Sequence, residues 1–185
     1  DIYHAPDFLN FDHGLKIPQV LTVHDLSMIK FPDYLGRKLS ARFEKILKKA
    51  CEKADRIIAV SQATKKDIVE HFHIEEEKID ITYQGYDKKF KQIEDKEKIK
   101  EVLNKYQVAE PYLLFVGTIE PRKNLINLFK AFSKFCELPG SEKYKLIVIG
   151  RRGWNISDID RTYENIKNRE KIKFLNFVSD EDMVY

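Results

Sequence analysis

Several things are scarce in this chain of 185 residues. It has two cysteines, Cys51 and Cys136, far apart and in no CxxC pair. That excludes a disulfide scaffold and a zinc ribbon and fits reduced thiols in a cytoplasmic protein. Seven glycines and six prolines exclude collagen-like and low-complexity character. No apolar run approaches the ~18 residues a membrane helix needs; the longest are stretches such as Tyr112–Val116 and Leu146–Ile149. Charge of one sign is not in excess either: 33 basic against 30 acidic residues leave +3, too even to argue for a nucleic-acid partner. Only 8 of the basic residues are arginines, so an arginine in a loop is more informative than a lysine. No signal peptide is visible, and the chain begins at Asp1 without Met.

What is present suffices for a folded protein. Apolar residues make up 43% and aromatics 12%, and a compact chain of this size buries roughly 70% of its unfolded surface. The apolar pattern alternates between short continuous runs and helical spacing. Gln19–Val23 reads as a buried strand. From Arg37 to Ala54 the apolar positions Leu39, Phe43, Ile46, Leu47, Ala50, Cys51 and Ala54 form one stripe of an amphipathic helix. Arg56–Val60 is the next strand, Ser61 caps a helix with Ile68, Val69 and Phe72 inward, and Lys78–Tyr83 follows as a strand.

Residues 87–100 are rich in Lys and Glu, and a short helix follows through Ile99, Val102, Leu103 and Tyr106. The alternation then restarts with a buried strand Pro111–Val116, a helix Asn124–Cys136, and strands Lys145–Ile149 and Lys171–Val178. Strands alternating with helices predict α/β architecture, parallel sheets doubly wound on both faces, built twice. The expected division is a first domain at 1–85, a connector with a short helix at 86–110, and a second domain at 111–185. Ser179-Asp180-Glu181-Asp182 spells a capping box, yet the apolar run it opens stops at Tyr185. Both domains are therefore expected to be incomplete here, the middle of a longer protein.

Three loops follow strands. Gly117-Thr118-Ile119-Glu120-Pro121-Arg122-Lys123-Asn124 joins a strand to an amphipathic helix. In open α/β sheets ligands bind beyond the carboxyl ends of strands. A glycine permits close approach, a helix start offers free N–H groups, and Arg122 and Lys123 add charge, a set suited to a phosphate or diphosphate. The alternative is an ordinary loop with surface cations. The pattern is neither GxGxxG nor GxxxxGK[ST]. Gly150-Arg151-Arg152-Gly153-Trp154 ends the next strand on the same sheet edge and fits an anion-facing turn, or a plain glycine turn closed by Trp154. His24 ends the Gln19–Val23 strand, where it can bond a sugar hydroxyl, share a proton with Asp25, or simply cap the strand.

Other patterns carry less. Asp158-Ile159-Asp160 spells DxD but reads as a surface helix. His71 and His73, two apart, face different ways and suit no shared metal. No GxSxG elbow is present, which argues against a serine hydrolase of that kind. No metal site is expected.

With these residues in place, a resemblance can be stated. GTIEPRKNL followed by LFKAF, KLIVIGRRGW and KIKFLNFVSDEDM resembles the nucleotide-sugar domain of family 4 retaining glycosyltransferases, which have the GT-B fold. DIYHAPDF, VLTVHDLSMIKFPDY, ADRIIAVSQATKKDI and KIDITYQGYD resemble the second half of their acceptor domain. The likeness runs over nearly the whole chain. GTIEPRKN with GRRGW is similar to a bacterial and archaeal subgroup that builds polysaccharides, often mannosyltransferases. It implies a donor diphosphate at Gly117, Thr118, Arg122 and Lys123, the nucleotide near Gly150, Arg151, Phe177 and Val178, and His24 near the donor sugar. Many relatives have Arg where this chain has Thr118. The implied reaction moves a sugar from a GDP- or UDP-sugar to a saccharide or lipid-linked acceptor with retention, using no metal or other cofactor. The sugar would sit between the domains, with the stretch around Gly85 as hinge. The family's glycine-rich loop would precede Asp1 and its E-x7-E motif would follow Tyr185, so these 185 residues alone are expected to be inactive. A nucleotide-sugar 2-epimerase and a non-catalytic nucleotide-binding module are the competing readings. Contact with a membrane surface stays open, its basic amphipathic helix expected mostly before Asp1.

Overall fold

Every paired strand of the protein runs parallel to its neighbour, in two separate sheets. The computed structural model describes residues 1–185, which divide into two units, Asp1–Tyr86 and Asp87–Tyr185.

In the first unit β1 (Tyr3–Ala5), β2 (Gln19–Val23), β3 (Arg56–Ala59) and β4 (Ile79–Ile81) lie in the order β1-β2-β3-β4. Two short helices, α1 (Ser27–Lys30) and α2 (Pro32–Leu35), lead into α3 (Arg37–Lys53); α4 (Gln62–Phe72) joins β3 to β4. When successive strands are laid down in one direction, right-handed crossovers put their helices on one face. Accordingly Leu21, Val23, Ile57, Ala59 and Ile79 pack with Leu47, Ala50 and Cys51 of α3 and Ile68 and Phe72 of α4. The opposite face carries half-buried Val20, Thr22 and Ile58 and exposed His4, Arg56 and Asp80. Within these residues the first sheet is thus covered on one face, where the sequence predicts two. Ser61 caps α4 by accepting from the Thr64 amide at 3.0 Å, a device worth about 1 kcal/mol.

In the second unit α5 (Lys96–Lys105) precedes β5 (Tyr112–Val116), α6 (Leu125–Phe135), β6 (Lys145–Ile149), α7 (Ser157–Asn165) and β7 (Ile172–Leu175), with strand order β5-β6-β7. Here both faces are covered. Leu146, Val148 and Ile172 meet Leu125, Phe129 and Phe132 of α6 and Ile159 of α7. Ile147, Ile149 and Val178 meet Leu103, Tyr106 and Val108 in and after α5. The helix within the stretch 86–110 therefore packs on the second sheet. β6 is buried along Leu146–Ile149, as a continuous apolar run in a central parallel strand should be. β5 reads the same in sequence, but it lies at the sheet edge and leaves Leu113, Leu114 and Val116 exposed. The strand expected over 171–178 closes at Leu175; its last ladder acceptor, the Leu175 carbonyl, takes the Gly150 amide at 3.1 Å.

Ser179 begins a turn in which its Oγ accepts from the Asp182 amide at 3.2 Å. The Asp182 carboxylate does not return to cap the turn. It accepts instead from Lys105 Nζ at 2.6 Å and Tyr106 OH at 2.8 Å, and the Ser179 amide donates to the Tyr106 oxygen at 3.4 Å.

Candidate functional site

The carboxyl edge of β5-β6-β7 is where the second unit's loops converge. Beyond the strand ends the backbone ladder continues: the Gly117 amide donates to Ile149 O at 2.9 Å, the Ile119 amide to Arg151 O at 2.9 Å, and the Gly153 amide to Ile119 O at 2.9 Å. Ile119 and Arg152 form a parallel bridge. The loops 117–120 and 150–153 are therefore one bonded pair. The glycines explain why this chain can do it. Gly117 and Gly150 have φ of +152° and +150°, and a Cβ on Gly150 would stand 2.0 Å from the Gly117 carbonyl oxygen. A Cβ on Gly117 would meet only the Phe115 ring, at 3.6 Å. The close approach is backbone to backbone at Gly150, while Gly117 is required for its φ.

The helix expected from Asn124 starts one residue later and is entered differently. A 3-10 turn, Pro121–Lys123, ends at Asn124 in the left-handed conformation, and α6 follows. The amides of Thr118, Leu125 and Ile126 find no acceptor in the chain. Such amides, with the positive end of the helix dipole behind the last two, favour an anion.

The two cations of this loop part company. Arg122 is held by Glu120, its Nε and Nη2 at 3.1 and 2.9 Å from Oε1. Glu120 is 2% exposed, and burying a carboxylate is costly without such a hydrogen-bonded partner. Arg122 is thus largely engaged in the loop itself, whereas the Lys123 side chain is exposed with no ion pair or hydrogen bond, only its backbone amide donating to the Glu120 carbonyl. Glu120 has no part in the expected site. The local signal for it is an acid two residues before an Arg, between apolar Ile119 and Pro121. In the neighbouring loop Arg152 pairs with Asp160 of α7, which accounts for half of the DxD pattern, and Arg151 is exposed. Thr118 presents its amide but brings no charge. After β7, Phe177 is 79% exposed while Val178 is buried against Tyr106 and Ile149.

His24 stands at the carboxyl end of β2 in the first unit. Its Nε2 donates to the Pro6 carbonyl at 3.1 Å, which leaves Nδ1 to accept from Gln84 Nε2 at 3.3 Å. Asp25 does not share its proton: the Asp25 carboxylate accepts the Ser27 amide and hydroxyl. His71, two residues from His73, bonds Glu44 at 2.9 Å.

Strands ending on glycine, paired loops and open amides thus stand together at the carboxyl edge of the second unit's parallel sheet, the edge where open α/β sheets bind their ligands. The first unit and the second are recognised by different family descriptions: residues 1–90 match "Glycosyltransferase Family 4" and residues 95–185 match "Glycosyl transferases group 1". The chain belongs to these glycosyltransferases, of GT-B fold. It is 31% identical over 185 residues to O-antigen chain mannosyltransferase B of Escherichia coli, covering 100% of this chain and 48% of that protein. To O-antigen chain mannosyltransferase RfbU of Salmonella typhimurium it is 28% identical over 162 residues, 87% of this chain and 40% of that one. The chain thus spans less than half the length of these two relatives. Among solved structures it shares the fold of Anabaena HepE in complex with UDP, with TM-score 0.74 and 18% identity over 100% of this chain and 50% of that one. No helix is long and apolar enough to cross a membrane.

Proposed function

We propose that the full protein transfers a sugar from a nucleotide-diphosphate donor to a saccharide or lipid-linked saccharide acceptor, with retention and without a metal. The observation that carries this reading is the bonded loop pair at Gly117 and Gly150, with open amides at Thr118, Leu125 and Ile126 and the unpaired Lys123 beside them. As the glycosidic bond breaks, negative charge grows on the departing diphosphate. Fixed amides and an ammonium aimed at those oxygens lower the barrier because they need no reorganisation as the charge develops.

In this reading Gly117, Thr118 and Lys123 face the diphosphate. Gly150, Arg151, Phe177 and Val178 lie toward the nucleoside, and the exposed Phe177 ring offers a face for the base to stack on. Arg122 keeps the loop in shape through Glu120. His24 is the proposed contact to the donor sugar, its orientation set by Pro6 and Gln84. The names of the relatives make mannose the first sugar to test, and the UDP in the HepE structure makes uridine the rival base to guanosine.

Lys123→Ala in the full-length enzyme should lower turnover about 100- to 1,000-fold and weaken nucleotide binding. Unchanged kinetics would remove Lys123 from the site. A thermal-shift screen of the full-length protein against GDP-, UDP-, ADP- and dTDP-sugars then identifies the donor, and GDP-mannose is expected to give the largest shift. Free isomerised donor formed without acceptor would turn the assignment to an epimerase.

A further inference from the structure

Tyr106, the residue that ends α5, is bonded to both ends of the loop that follows β7. Gln107 turns the backbone left-handed at φ +52°, its amide donating to Asn104 O at 3.0 Å and the Val108 amide to Leu103 O at 2.8 Å. That turn closes the helix and leaves the Tyr106 and Gln107 carbonyls without helix partners. Lys173 of β7 takes them: its Nζ donates to Tyr106 O at 2.7 Å and to Gln107 O at 2.8 Å, a cation at the negative end of a helix. Strand alternation puts Lys173 on this face, since Ile172 beside it packs with α6 and α7.

At the far side of the loop the Tyr106 hydroxyl donates to Asp182 Oδ2 at 2.8 Å and accepts from the Ser179 amide at 3.4 Å. Lys105 holds the same Asp182 oxygen at 2.6 Å, and Val178 is buried in the apolar cluster against which Tyr106 packs. That cluster needs only the ring. The hydroxyl is what a phenylalanine would lack, and both of its partners lie in the turn after β7. Between the two anchor points Asn176 and Phe177 are exposed, and the amides of Phe177 and Val178 find no acceptor in the chain. The loop thus offers unused groups from a backbone whose ends are fixed before anything binds, which lowers the ordering cost of recognition. We infer that Tyr106 is a positioning residue for nucleotide selection: through Lys173 on one side and Ser179 and Asp182 on the other it sets the loop 176–178, which faces the nucleoside in the proposed function on which this assignment rests. The loops at Gly117 and Gly150 share no hydrogen bond with Tyr106, so nucleoside and diphosphate can be tested apart.

The test is calorimetric titration of the full-length protein with GDP, UDP and inorganic pyrophosphate, with donor kinetics beside it. In the parent one nucleotide should bind more tightly than the other and more tightly than pyrophosphate. Tyr106→Phe keeps the ring and removes the hydroxyl's two hydrogen bonds. It should weaken the preferred nucleotide about 10-fold and leave pyrophosphate within about twofold, which also reports that the protein is folded. The preference between GDP and UDP should narrow, and donor KM should rise by a similar factor at nearly constant kcat. Asp182→Ala should act in the same direction, and the double variant should fall well short of the product of the two single effects, because both changes break one contact. Equal loss for nucleotide and pyrophosphate would make Tyr106 merely structural and overturn the proposal. So would parent-like nucleotide binding by Tyr106→Phe, or single effects that multiply in the double variant; the proposed function survives all three. A parent that binds nucleotides no better than pyrophosphate would remove the nucleoside from this loop and overturn the proposal while leaving the diphosphate site. A parent that binds none of the three would overturn the proposed function and Tyr106's role together.

Discussion

At the scale of single residues, the strictest requirements fall where backbones meet. Gly150→Ala would drive a methyl group into the Gly117 carbonyl, 2.0 Å away, and backbone has no rotamer with which to yield. It should destabilise by about 3 kcal/mol or more, against about 1 kcal/mol for Gly117→Ala, where the cost is the unfavourable φ. Urea unfolding of the two variants makes the comparison. Sequence reasoning picks both glycines, Gly117 for the close approach of a ligand, but does not show that the two backbones meet at Gly150, because distance between two strand ends is a tertiary fact. The cysteines separate in the same way. Burial pushes the Cys51 thiol up to about 12, while Cys136 is only half-buried and is raised less decisively by the same cause. Iodoacetamide at pH 8 should label Cys136 first and leave Cys51 protected until the first unit opens. Equal labelling rates in the native protein would contradict that burial.

Elements show which patterns a sequence makes legible. β2, α3 and β6 are readable because their apolar residues face a core on one or both sides, which imprints a period on the chain. β5 carries the same imprint but lies at an edge, and strand order is not written in the run itself. The turn after β7 is a different case: Asp182 matches a capping box locally, but Lys105 and Tyr106, distant in sequence, draw its carboxylate to α5. Lys105 first and Tyr106 next hold Asp182 down to about 2, and the same contact raises Lys105. A carboxyl group with a lowered folded pKa stabilises fully above its unfolded value, near 3.8, and that contribution disappears as pH falls toward about 2. Asp182→Asn should therefore melt earlier than the parent at pH 6 and equally near pH 2, by thermal unfolding at low salt. A constant difference across that range would mean the effect is packing and not charge.

For the whole molecule, the informative fact is that each apolar cluster belongs to one unit: one cluster lies within 1–86 and two lie within 87–185. Phe129 is fully buried among α6, α7 and β7. Phe129→Ala should cost about 3–5 kcal/mol and release amide protection throughout the second unit. Hydrogen exchange should show β2 and β3 still protected. Loss of protection in both units together would indicate one cooperative fold. The repeated α/β alternation makes this organisation legible from sequence, and the loops after β5 and β6 can be located by it. The partners of Arg122, Arg152 and His24 cannot, because each is set by where a turn or a neighbouring element carries a carboxylate, carbonyl or amide.

The bridge between Ile119 and Arg152 has a consequence for how these loops can vary. Hydrogen bonds in register at Gly117, Ile119 and Gly153 count residues, so an insertion or deletion in either segment would put every later partner out of step. Side chains on the two loops can be exchanged one at a time to retune what is bound, but their lengths are locked to each other.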